Sequence, residues 1–379
     1  MKEATDPLYM TIYKQLRKDI QAGKYGANQR LPTEKELCQT YHVSRITSKK
    51  ALNMLAEEKL IMRIKGKGSY IFQNQKIFSH TSMNNRKMPI IGVILSTFDN
   101  SFGRELLAAI EENCRQQNIL CLFFHTLGDQ QAEAEALDNC IDLGVDGIII
   151  TPVYGTYYNA KILQLVLNDY PIVVVDRALK GIPTHLVCTD NTSAAQQAID
   201  YLVKCGHKKI GVYAHVHKNI SSVEDRIEGV KRGLQANNIN IDESLFCIRK
   251  FNEFLLYQDD ERFIQDRNMI IEHLMNNPDI TAAFTLNYRI AMLIKCAAAE
   301  LGLSIPNNLN IICFDSPIED IPGQYFFSHM QQSYDELGKQ AIRLLCTLMQ
   351  GELTEKPVKI KVPAKFILGT STNIPSYMQ

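Results

Sequence analysis

Seven short runs of almost continuous apolar residues recur between residues 90 and 315, and stretches with helical spacing of apolar residues separate them. A strand that is apolar on both sides is buried on both faces, which is typical of parallel sheets covered by helices. The runs predict strands at 90–95, 119–124, 147–151, 171–176, 209–214, 280–285 and 310–315. Because this region is too long for one sheet of usual size, we expect two similar α/β lobes with a ligand cleft at the carboxyl ends of their strands.

The N-terminal region follows another pattern, in which short helices come one after another. Apolar residues recur at helical spacing over 9–20, which predicts a first helix. Thr33 and Glu36 stand three residues apart, the spacing of a capping box in which each side chain satisfies a free backbone N–H at a helix start. We expect this second helix to end near Tyr41 and a third, capped by Ser44, to run to about residue 59.

Charge separates the same two regions. Residues 1–76 carry 15 Lys and Arg against 7 Asp and Glu, whereas the remainder carries 26 against 34. The net charge of zero therefore combines a basic N-terminal region with an acidic remainder. A basic region confined to one small domain is typical of a surface that binds a polyanion, so we expect nucleic acid to be the partner of this region alone.

The third helix carries the candidate DNA-binding side chains. Arg45 and Lys49 are four residues apart and share a face near the helix start, the end with which a recognition helix enters the major groove. Both residue types donate to guanine O6 and N7, and the hydroxyls of Thr47 and Ser48 can bond phosphate or a base edge. A solvated basic face is the alternative, but the order of capping box, turn and helix favours DNA binding.

Two strands around a glycine-containing turn follow this helix. The pattern predicts strands at 60–63 and 69–72, with Lys65, Gly66 and Lys67 at the tip between them. Glycine lets such a turn adopt positive φ, and lysines at its tip can reach phosphates or a minor groove. A nucleotide-binding loop is the alternative, but the sequence lacks G-x-G-x-x-G here and no helix is predicted after the turn.

Polar side chains gather where the predicted strands of the acidic region end. Carboxylate, guanidinium and amide groups beside an aromatic ring are suited to gripping the hydroxyls and the apolar face of a sugar. The candidates are Asn100, Phe102, Asp176, Arg177, Arg226, Asn287 and Asp315. Each has another possible role, since an Asp at a strand end is commonly a helix cap or a turn residue. Their equivalent places in the predicted topology favour a common ligand.

Several protein classes are disfavoured by what the sequence lacks. It has no run of about 18 apolar residues and no apolar h-region near its start, so we expect neither a membrane span nor a signal peptide. Its ten cysteines are scattered without C-x-x-C pairs, which indicates reduced thiols in a cytoplasmic protein and no metal site. No dinucleotide fingerprint, G-x-S-x-G elbow or phosphate loop occurs, so we expect no cofactor and no catalysis.

Residues 30–71 resemble the winged helix-turn-helix of GntR-type bacterial regulators; they read RLPTEKELCQTYHVSRITSKKALNMLAEEKLIMRIKGKGSYI. That family has the pattern LPSE-x-EL, then VSR-x-TVR-x-AL, then a glycine-rich wing. The resemblance implies base contacts from the second and third helices and an approach of the wing to the minor groove. The expected DNA-binding set is Arg30, Lys35, Arg45, Thr47, Ser48, Lys49, Lys65, Gly66 and Lys67.

Residues 89–372 resemble the effector domain of LacI-type repressors, which is itself similar to periplasmic sugar-binding proteins. The matching stretches include IGVILSTFDNSFGRELLAAIEE (91–112), IVVVDR (172–177), SSVEDRIEGVKRGL (221–234) and LGLSIPNNLNIICFD (301–315). The resemblance implies a two-lobed fold with a small sugar between the lobes. It assigns the ligand contacts to Asn100, Phe102, Asp176, Arg177, Arg226, Asn287, Asp315 and Gln332.

We therefore expect an α/β protein with a winged helix-turn-helix at 1–74, called the head, a linker at 75–88 and an effector domain at 89–379, called the body. Within the body, two doubly wound parallel-sheet lobes are expected. The first covers about 89–206 and 333–350, and the second covers about 207–332 and 351–379.

The combination of head and body resembles arabinose-responsive repressors of Gram-positive bacteria. We interpret the chain as a cytoplasmic, non-enzymatic transcriptional regulator, a repressor controlled by a small sugar such as a pentose. Because a palindromic operator requires two heads, we expect a homodimer on operator DNA. A sugar-acting α/β enzyme and a pure sugar-binding protein are the alternatives.

Overall fold

The structure, a computed structural model, describes most of the head and body. The described residues are 8–21, 24–25, 29–58, 60–64, 68–71, 88–98, 101–153, 158–215, 220–251, 261–315, 324–352 and 356–374. Within these ranges, no helix is both long enough and apolar enough to cross a bilayer. The expected α/β class is confirmed, with a helical head and two sheet-containing lobes.

Three helices and a hairpin build the head. Helices α1 (Leu8–Gln21), α2 (Glu34–Tyr41) and α3 (Arg45–Glu57) precede the antiparallel strands β1 (Ile61–Ile64) and β2 (Gly68–Ile71). Their apolar stripes meet in one small core, which gives the head its own packing. Its fully or almost fully buried members include Ile12, Leu16, Leu31, Leu37, Leu52, Leu55, Ile61 and Ile71.

Caps fix the turn between α2 and α3. Thr33 Oγ1 accepts from the backbone N–H of Glu36 at 3.1 Å, and the Glu36 carboxylate accepts from the backbone N–H of Thr33 at 2.7 Å. His42 ends α2 in left-handed backbone with φ of 51°, and Ser44 Oγ accepts from the Thr47 N–H at 3.3 Å. These bonds satisfy groups that helix ends leave open, and the predicted capping box and Ser44 cap are both confirmed.

The first lobe is a parallel sheet with helices on both faces. Its strands, in spatial order, are β13 (Lys359–Val362), β7 (His185–Thr189), β6 (Ile172–Val175), β5 (Gly147–Ile150), β3 (Ile90–Leu95) and β4 (Leu120–His125). Helices α4 (Ser101–Gln116) and α11 (Tyr334–Met349) cover one face, and α5 (Gln130–Asp142) and α6 (Ala160–Leu167) cover the other. In β3, Ile91 and Val93 pack on one side and Ile94 on the other, which explains the unbroken apolar run.

The second lobe repeats this topology. Its strands, in spatial order, are β14 (Lys365–Ile367), β12 (Ser328–Gln331), β11 (Asn310–Phe314), β10 (Ala282–Thr285), β8 (Ile210–His215) and β9 (Phe246–Arg249), and β14 alone of these runs antiparallel to its neighbour. Helices α7 (Asn191–Lys204) and α8 (Ser221–Ala236) cover one face, and α9 (Glu261–Asn276) and α10 (Tyr288–Glu300) cover the other. Equivalent strands in the two lobes therefore end at equivalent places.

The described chain passes between the lobes after β7, after β12 and after β13. Two hydrogen bonds join these crossings side by side. Thr189 Oγ1 donates to Gln332 Oε1 at 2.6 Å, and the Asp190 N–H donates to the Val362 carbonyl at 2.8 Å. The crossings together form the segment about which the lobes can turn relative to each other.

The sequence analysis assigned two elements, α7 and β13, to the wrong lobe. Helix α7 was expected in the first lobe (89–206), but it packs in the core of the second against α8. Strand β13 was expected in the second lobe (351–379), but it extends the first sheet beside β7. The reason for the first difference is close packing: a Cβ at Gly229 of α8 would lie 2.2 Å from the Thr192 carbonyl oxygen, so only glycine lets α7 approach so near.

Candidate nucleic-acid interface and ligand cleft

One side of α3 is buried and the other is open. Ser48, Leu52 and Leu55 recur at helical spacing and are at most 1% exposed. Arg45 and Lys49 lie on the exposed side, with the Arg45 side chain 83% exposed. Their charges add to the partial positive charge at the start of a helix, so this end of α3 is suited to meeting a phosphate backbone.

Glu34 of α2 holds the exposed basic side of α3 in place. Its carboxylate accepts from Arg45 Nε at 3.0 Å and from the Arg63 guanidinium of β1. Arg63 also donates to the Lys49 carbonyl at 3.3 Å and to the Asn53 side chain. Burial alone would raise the pKa of Glu34, but the bonds from Arg45 and Arg63 outweigh it and lower that pKa. This carboxylate therefore orients Arg45 while β1 is tied to two helices.

Two hydroxyls of the expected DNA-binding set are engaged inside the head. Ser48 is 0% exposed; its hydroxyl donates to the Arg45 carbonyl at 3.1 Å and lies 3.4 Å from Cys38 Sγ. That burial contradicts the contact with DNA that the sequence predicted. The signal was its spacing with the apolar residues of the same helix. Thr47 is half-buried, and its hydroxyl shares a hydrogen bond of 2.8 Å with Ser44.

The other members of the set lie around the hairpin and α2. Lys35 is exposed in the first turn of α2, and Arg30 is half-buried against the hairpin. Gly68 has φ of 121°, a backbone conformation that favours glycine, and its Cα passes close to the Arg30 side chain, whose Nε would lie 2.9 Å from a Cβ at this position. Lys65, Gly66 and Lys67 lie outside the described residues.

Two aspartates stand at equivalent strand ends of the body. Asp176 follows β6 and Asp315 follows β11, which hold the same place in their sheets. Both have left-handed backbone, with φ of 70° and 78°. Such backbone is uncommon outside glycine, although Asp and Asn tolerate it better than most residues, and it is found preferentially at functional sites. Asp176 accepts from Arg177 Nε at 3.1 Å.

Arg226 is a buried cation on α8 beside these carboxylates. Its Nε donates to Asn191 Oδ1 at 2.8 Å, its Nη1 donates to the Leu286 carbonyl at 2.6 Å, and its guanidinium carbon lies 3.6 Å from the centre of the Phe314 ring. Burial lowers the pKa of Arg226, and the carboxylate of Asp315 acts in the opposite direction. These contacts fix the position of the side chain. It remains a cation, because arginine is not deprotonated in proteins.

Gln332 connects Asp315 with the crossings between the lobes. It is 3% exposed, and its Nε2 donates to Asp315 Oδ1 at 2.5 Å while its Oε1 accepts from Thr189. Burial raises the pKa of Asp315, whereas the charge of Arg226 and the bond from Gln332 lower it. Gln332 therefore links Asp315 by hydrogen bonds to two of the crossing segments.

Phe102 and Asn287 are each engaged with a neighbouring element of the body. Phe102 is half-buried, and its ring centre lies 5.9 Å from that of Tyr334 in an edge-to-face arrangement. The side-chain oxygen of Asn287 caps α10 by accepting from the Ile290 N–H at 2.9 Å, so a ligand would meet its amide nitrogen. Asn100 lies outside the described residues.

Glu133 is a buried carboxylate that the sequence did not reveal. It lies in the first turn of α5, is 1% exposed, and accepts from the Val153 N–H at 2.6 Å, just after β5 ends. Burial raises the pKa of Glu133 to about 7, although that bond and the charge of Arg177 oppose the rise. The signal was its spacing of three and four residues from Ala136 and Leu137 on the buried face of α5, a face that Glu135, exposed two residues later, does not share.

Two contacts join the lobes directly near the cleft. The Ala178 N–H of the first lobe donates to Ser221 Oγ of the second at 2.8 Å. Lys180 of the first lobe forms an ion pair with Glu224 of the second. In both contacts the first-lobe residue follows β6 and the second-lobe residue lies in the first turn of α8, so the two contacts hold these parts of the lobes together.

The arrangement can bind a polyhydroxylated molecule. The charges that shift the pKa of Arg226 include Asp315, Asp176 and Arg177, so two carboxylates and two guanidiniums lie within electrostatic reach of one another. Carboxylates accept two or more hydrogen bonds and guanidiniums only donate. A ligand with several hydroxyls fits this set of groups, because each hydroxyl can donate to a carboxylate and accept from a guanidinium.

Two family models match the chain in succession. The model described as bacterial regulatory proteins, gntR family, matches residues 8–71. The model described as periplasmic binding proteins and sugar binding domain of the LacI family matches residues 88–368.

Relatives and solved structures agree with this division. The arabinose metabolism transcriptional repressor of Geobacillus stearothermophilus is 23% identical over 98% of this chain and 99% of its own. A LacI family regulator from Enterococcus faecium, solved with bound ribose, is 24% identical over 76% of this chain and 99% of its own, with a TM-score of 0.60. A periplasmic binding protein/LacI regulator from Alkaliphilus metalliredigens, complexed with D-xylulofuranose, is 21% identical over 75% and 99%, with a TM-score of 0.59.

Proposed function

Because the chain belongs to the family of periplasmic binding proteins and LacI-type sugar-binding domains and carries a gntR-type head, we propose that it is a repressor whose grip on operator DNA is controlled by a small sugar. One observation carries the proposal. The exposed basic face of α3 occurs in the same chain as a body in which two carboxylates and two guanidiniums lie within electrostatic reach of one another. Its relatives are named transcriptional repressors and regulators.

The head meets DNA through α3. Arg45 and Lys49 donate to guanine in the major groove, with Lys35 of α2 beside them. The wing-tip lysines Lys65 and Lys67 neutralise phosphate or enter the minor groove. On contact with DNA the Arg45 guanidinium leaves Glu34 or changes its orientation, which requires little movement because its side chain is already exposed.

The body holds the sugar between its lobes. Asp176 and Asp315 accept from hydroxyls, Arg177 and Arg226 donate to them, and the ring of Phe102 lies against the apolar face of the sugar. A pentose is favoured by the relative named for arabinose metabolism and by the ribose and xylulofuranose in the two structures named above. The protein works in the cytoplasm as a homodimer, because two heads are needed for a palindromic site.

The test begins with a duplex selected from random DNA by the full-length chain. Its electrophoretic shift is then titrated with arabinose, ribose, xylose and glucose. We expect one pentose to release the DNA. We expect Arg45→Ala to weaken binding by about 1–3 kcal/mol and to relax specificity at one base pair, whereas the exposed body variant Arg104→Ala leaves binding unchanged. Equal loss on random DNA would reduce Arg45 to a phosphate contact, and failure to select any duplex would remove the proposal.

A further inference from the structure

Ile46 stands exposed on the DNA-facing side of the head. It is the second residue of α3 and is 81% exposed, more than any other large apolar residue in the described chain. The apolar residues after it in the helix, such as Leu52, Met54 and Leu55, belong to the head core or pack against it. Ile46 therefore contributes nothing to that core.

Isolated exposed apolar residues are common on proteins, so exposure alone assigns no role. The place of Ile46 is what matters. It lies directly after Arg45 and three residues before Lys49, and residues three apart on a helix are neighbours. Asn53, seven residues on, continues the same exposed stripe, opposite the buried Ser48 and Leu52. The side chain thus stands among the groups proposed to read base edges.

The major groove offers one apolar group to such a side chain. Guanine, cytosine and adenine present only hydrogen-bond donors and acceptors there, whereas thymine adds its C5-methyl. Isoleucine can neither donate nor accept, and placing it against a polar base edge would desolvate that edge without compensation. Thymine is the base whose edge complements it.

We propose that Ile46 packs against the methyl group of a thymine and so selects an A·T pair beside the pair that Arg45 contacts. The proposal rests on the docking of α3 proposed above. It makes Ile46 a specificity-determining residue that adds apolar readout to the charged readout of Arg45 and Lys49.

The experiment replaces each thymine of the selected duplex, one at a time, by deoxyuridine, which pairs identically but lacks the methyl group. Burying one methyl-sized group corresponds to roughly a fourfold change in affinity. We expect one or two positions to cost the wild-type protein about this factor. Ile46→Ala should bind the thymine-containing duplex more weakly than wild type by about the same factor. Replacing thymine by deoxyuridine at those positions should then cost this variant no further affinity. Ile46→Val, which keeps the β-branch and removes only the terminal Cδ1 carbon, should retain most of the dependence. Met275→Ala, which removes an exposed apolar side chain of α9 in the body, should behave as wild type.

Two outcomes overturn the proposal alone: a wild-type protein that binds uridine-substituted sites with unchanged affinity, or an Ile46→Ala variant that keeps the full methyl dependence. Circular dichroism of Ile46→Ala and Ile46→Val establishes that the head is folded in both. A wild-type protein that selects no duplex removes the docking of α3 and this inference with it, so the two failures are distinguishable.

Discussion

Asp176 and Asp315 keep left-handed backbone at the two strand ends where a ligand would sit. Such backbone costs a non-glycine residue on the order of 1 kcal/mol or more, and the surrounding sheet must supply that energy. A replacement at these positions has to respect the conformation. Alanine would combine the loss of a carboxylate with backbone strain, whereas asparagine tolerates the left-handed region and isolates the charge.

We therefore expect Asp315→Asn to lower the affinity for the releasing sugar about tenfold or more, because a hydrogen bond to a charged group contributes about 1.5–3 kcal/mol. The thermal midpoint should change little. Calorimetric titration of the sugar measures the effect, and Asp279→Asn, an exposed change in the second lobe, is the control. Normal sugar binding by Asp315→Asn would place the ligand elsewhere.

Glu133 makes the stability of the first lobe depend on pH. Its folded-state pKa of about 7 lies above the ordinary value of about 4.3. Between these two pH values the native protein therefore keeps a proton on Glu133 that the unfolded chain has released. The stabilisation is complete below about pH 4.5 and is lost as the pH rises towards 7. Glu133→Gln should remove this slope and raise the free energy of unfolding at pH 8 by about 1–3 kcal/mol.

Urea unfolding at pH 5 and pH 8 measures this difference, with Glu135→Gln as the exposed control on the same helix. Parallel pH dependence in Glu133→Gln and wild type would show that the carboxyl is ionised and paired in the native protein.

At the scale of elements, the strands that form continuous apolar runs could be predicted, including the edge strand β4. Strands β7, β9, β12, β13 and β14 could not. Runs such as 90–95 and 310–315 are apolar on both faces because helices cover both, and β3 and β11 match them within one residue at each end. Strands β13 and β14 lie at sheet edges, where lysines at 359, 361 and 365 interrupt the apolar pattern. Charged side chains at an edge discourage pairing with another sheet. The same lysines break the apolar pattern from which a strand is predicted.

The lobe to which α7 belongs could not be predicted either. Its stripe of Ala195, Ala198 and Ile199 is an ordinary amphipathic face that would fit either sheet. The decision is made by α8, where a Cβ at Gly233 would lie 2.8 Å from the Ile199 Cβ, and one at Gly229 would collide with backbone. Similarly, the buried Ser48 could not be distinguished by residue type from the exposed residues beside it.

Gly229→Ala should accordingly destabilise the body by about 1–3 kcal/mol, because overpacking forces α7 and α8 apart. Urea denaturation measures the loss, and Gln235→Ala, an exposed change on the same helix, should stay within about 0.5 kcal/mol of wild type. An unchanged midpoint in Gly229→Ala would mean that the two helices are less closely packed than described.

At the scale of the whole molecule, we expect the crossings between the lobes to couple sugar binding to DNA binding. Gln332 bonds Asp315 in the cleft and Thr189 in a neighbouring crossing, so a sugar that engages Asp315 acts on the segment about which the lobes turn. We expect the sugar to weaken operator binding by about 1–3 kcal/mol and operator DNA to weaken sugar binding by the same factor.

Calorimetric titration of the sugar into the free protein and into its operator complex measures both affinities. Gln332→Ala should reduce the difference between them more than it reduces the affinity of the free protein. Identical affinities with and without DNA would exclude this coupling.

The three crossings also govern how the chain can fold during synthesis. The first lobe begins at β3 but obtains α11 and β13 only after all of the second lobe except β14 has been made, a delay on the order of ten seconds at ordinary rates of translation. Until then one face of its sheet, which includes Ile149 and Val173, lacks the covering helix α11. Ribosome-bound chains halted near residue 330 should therefore expose this face to proteases and chaperones, although five of the six strands of the sheet, β3 to β7, have by then been translated.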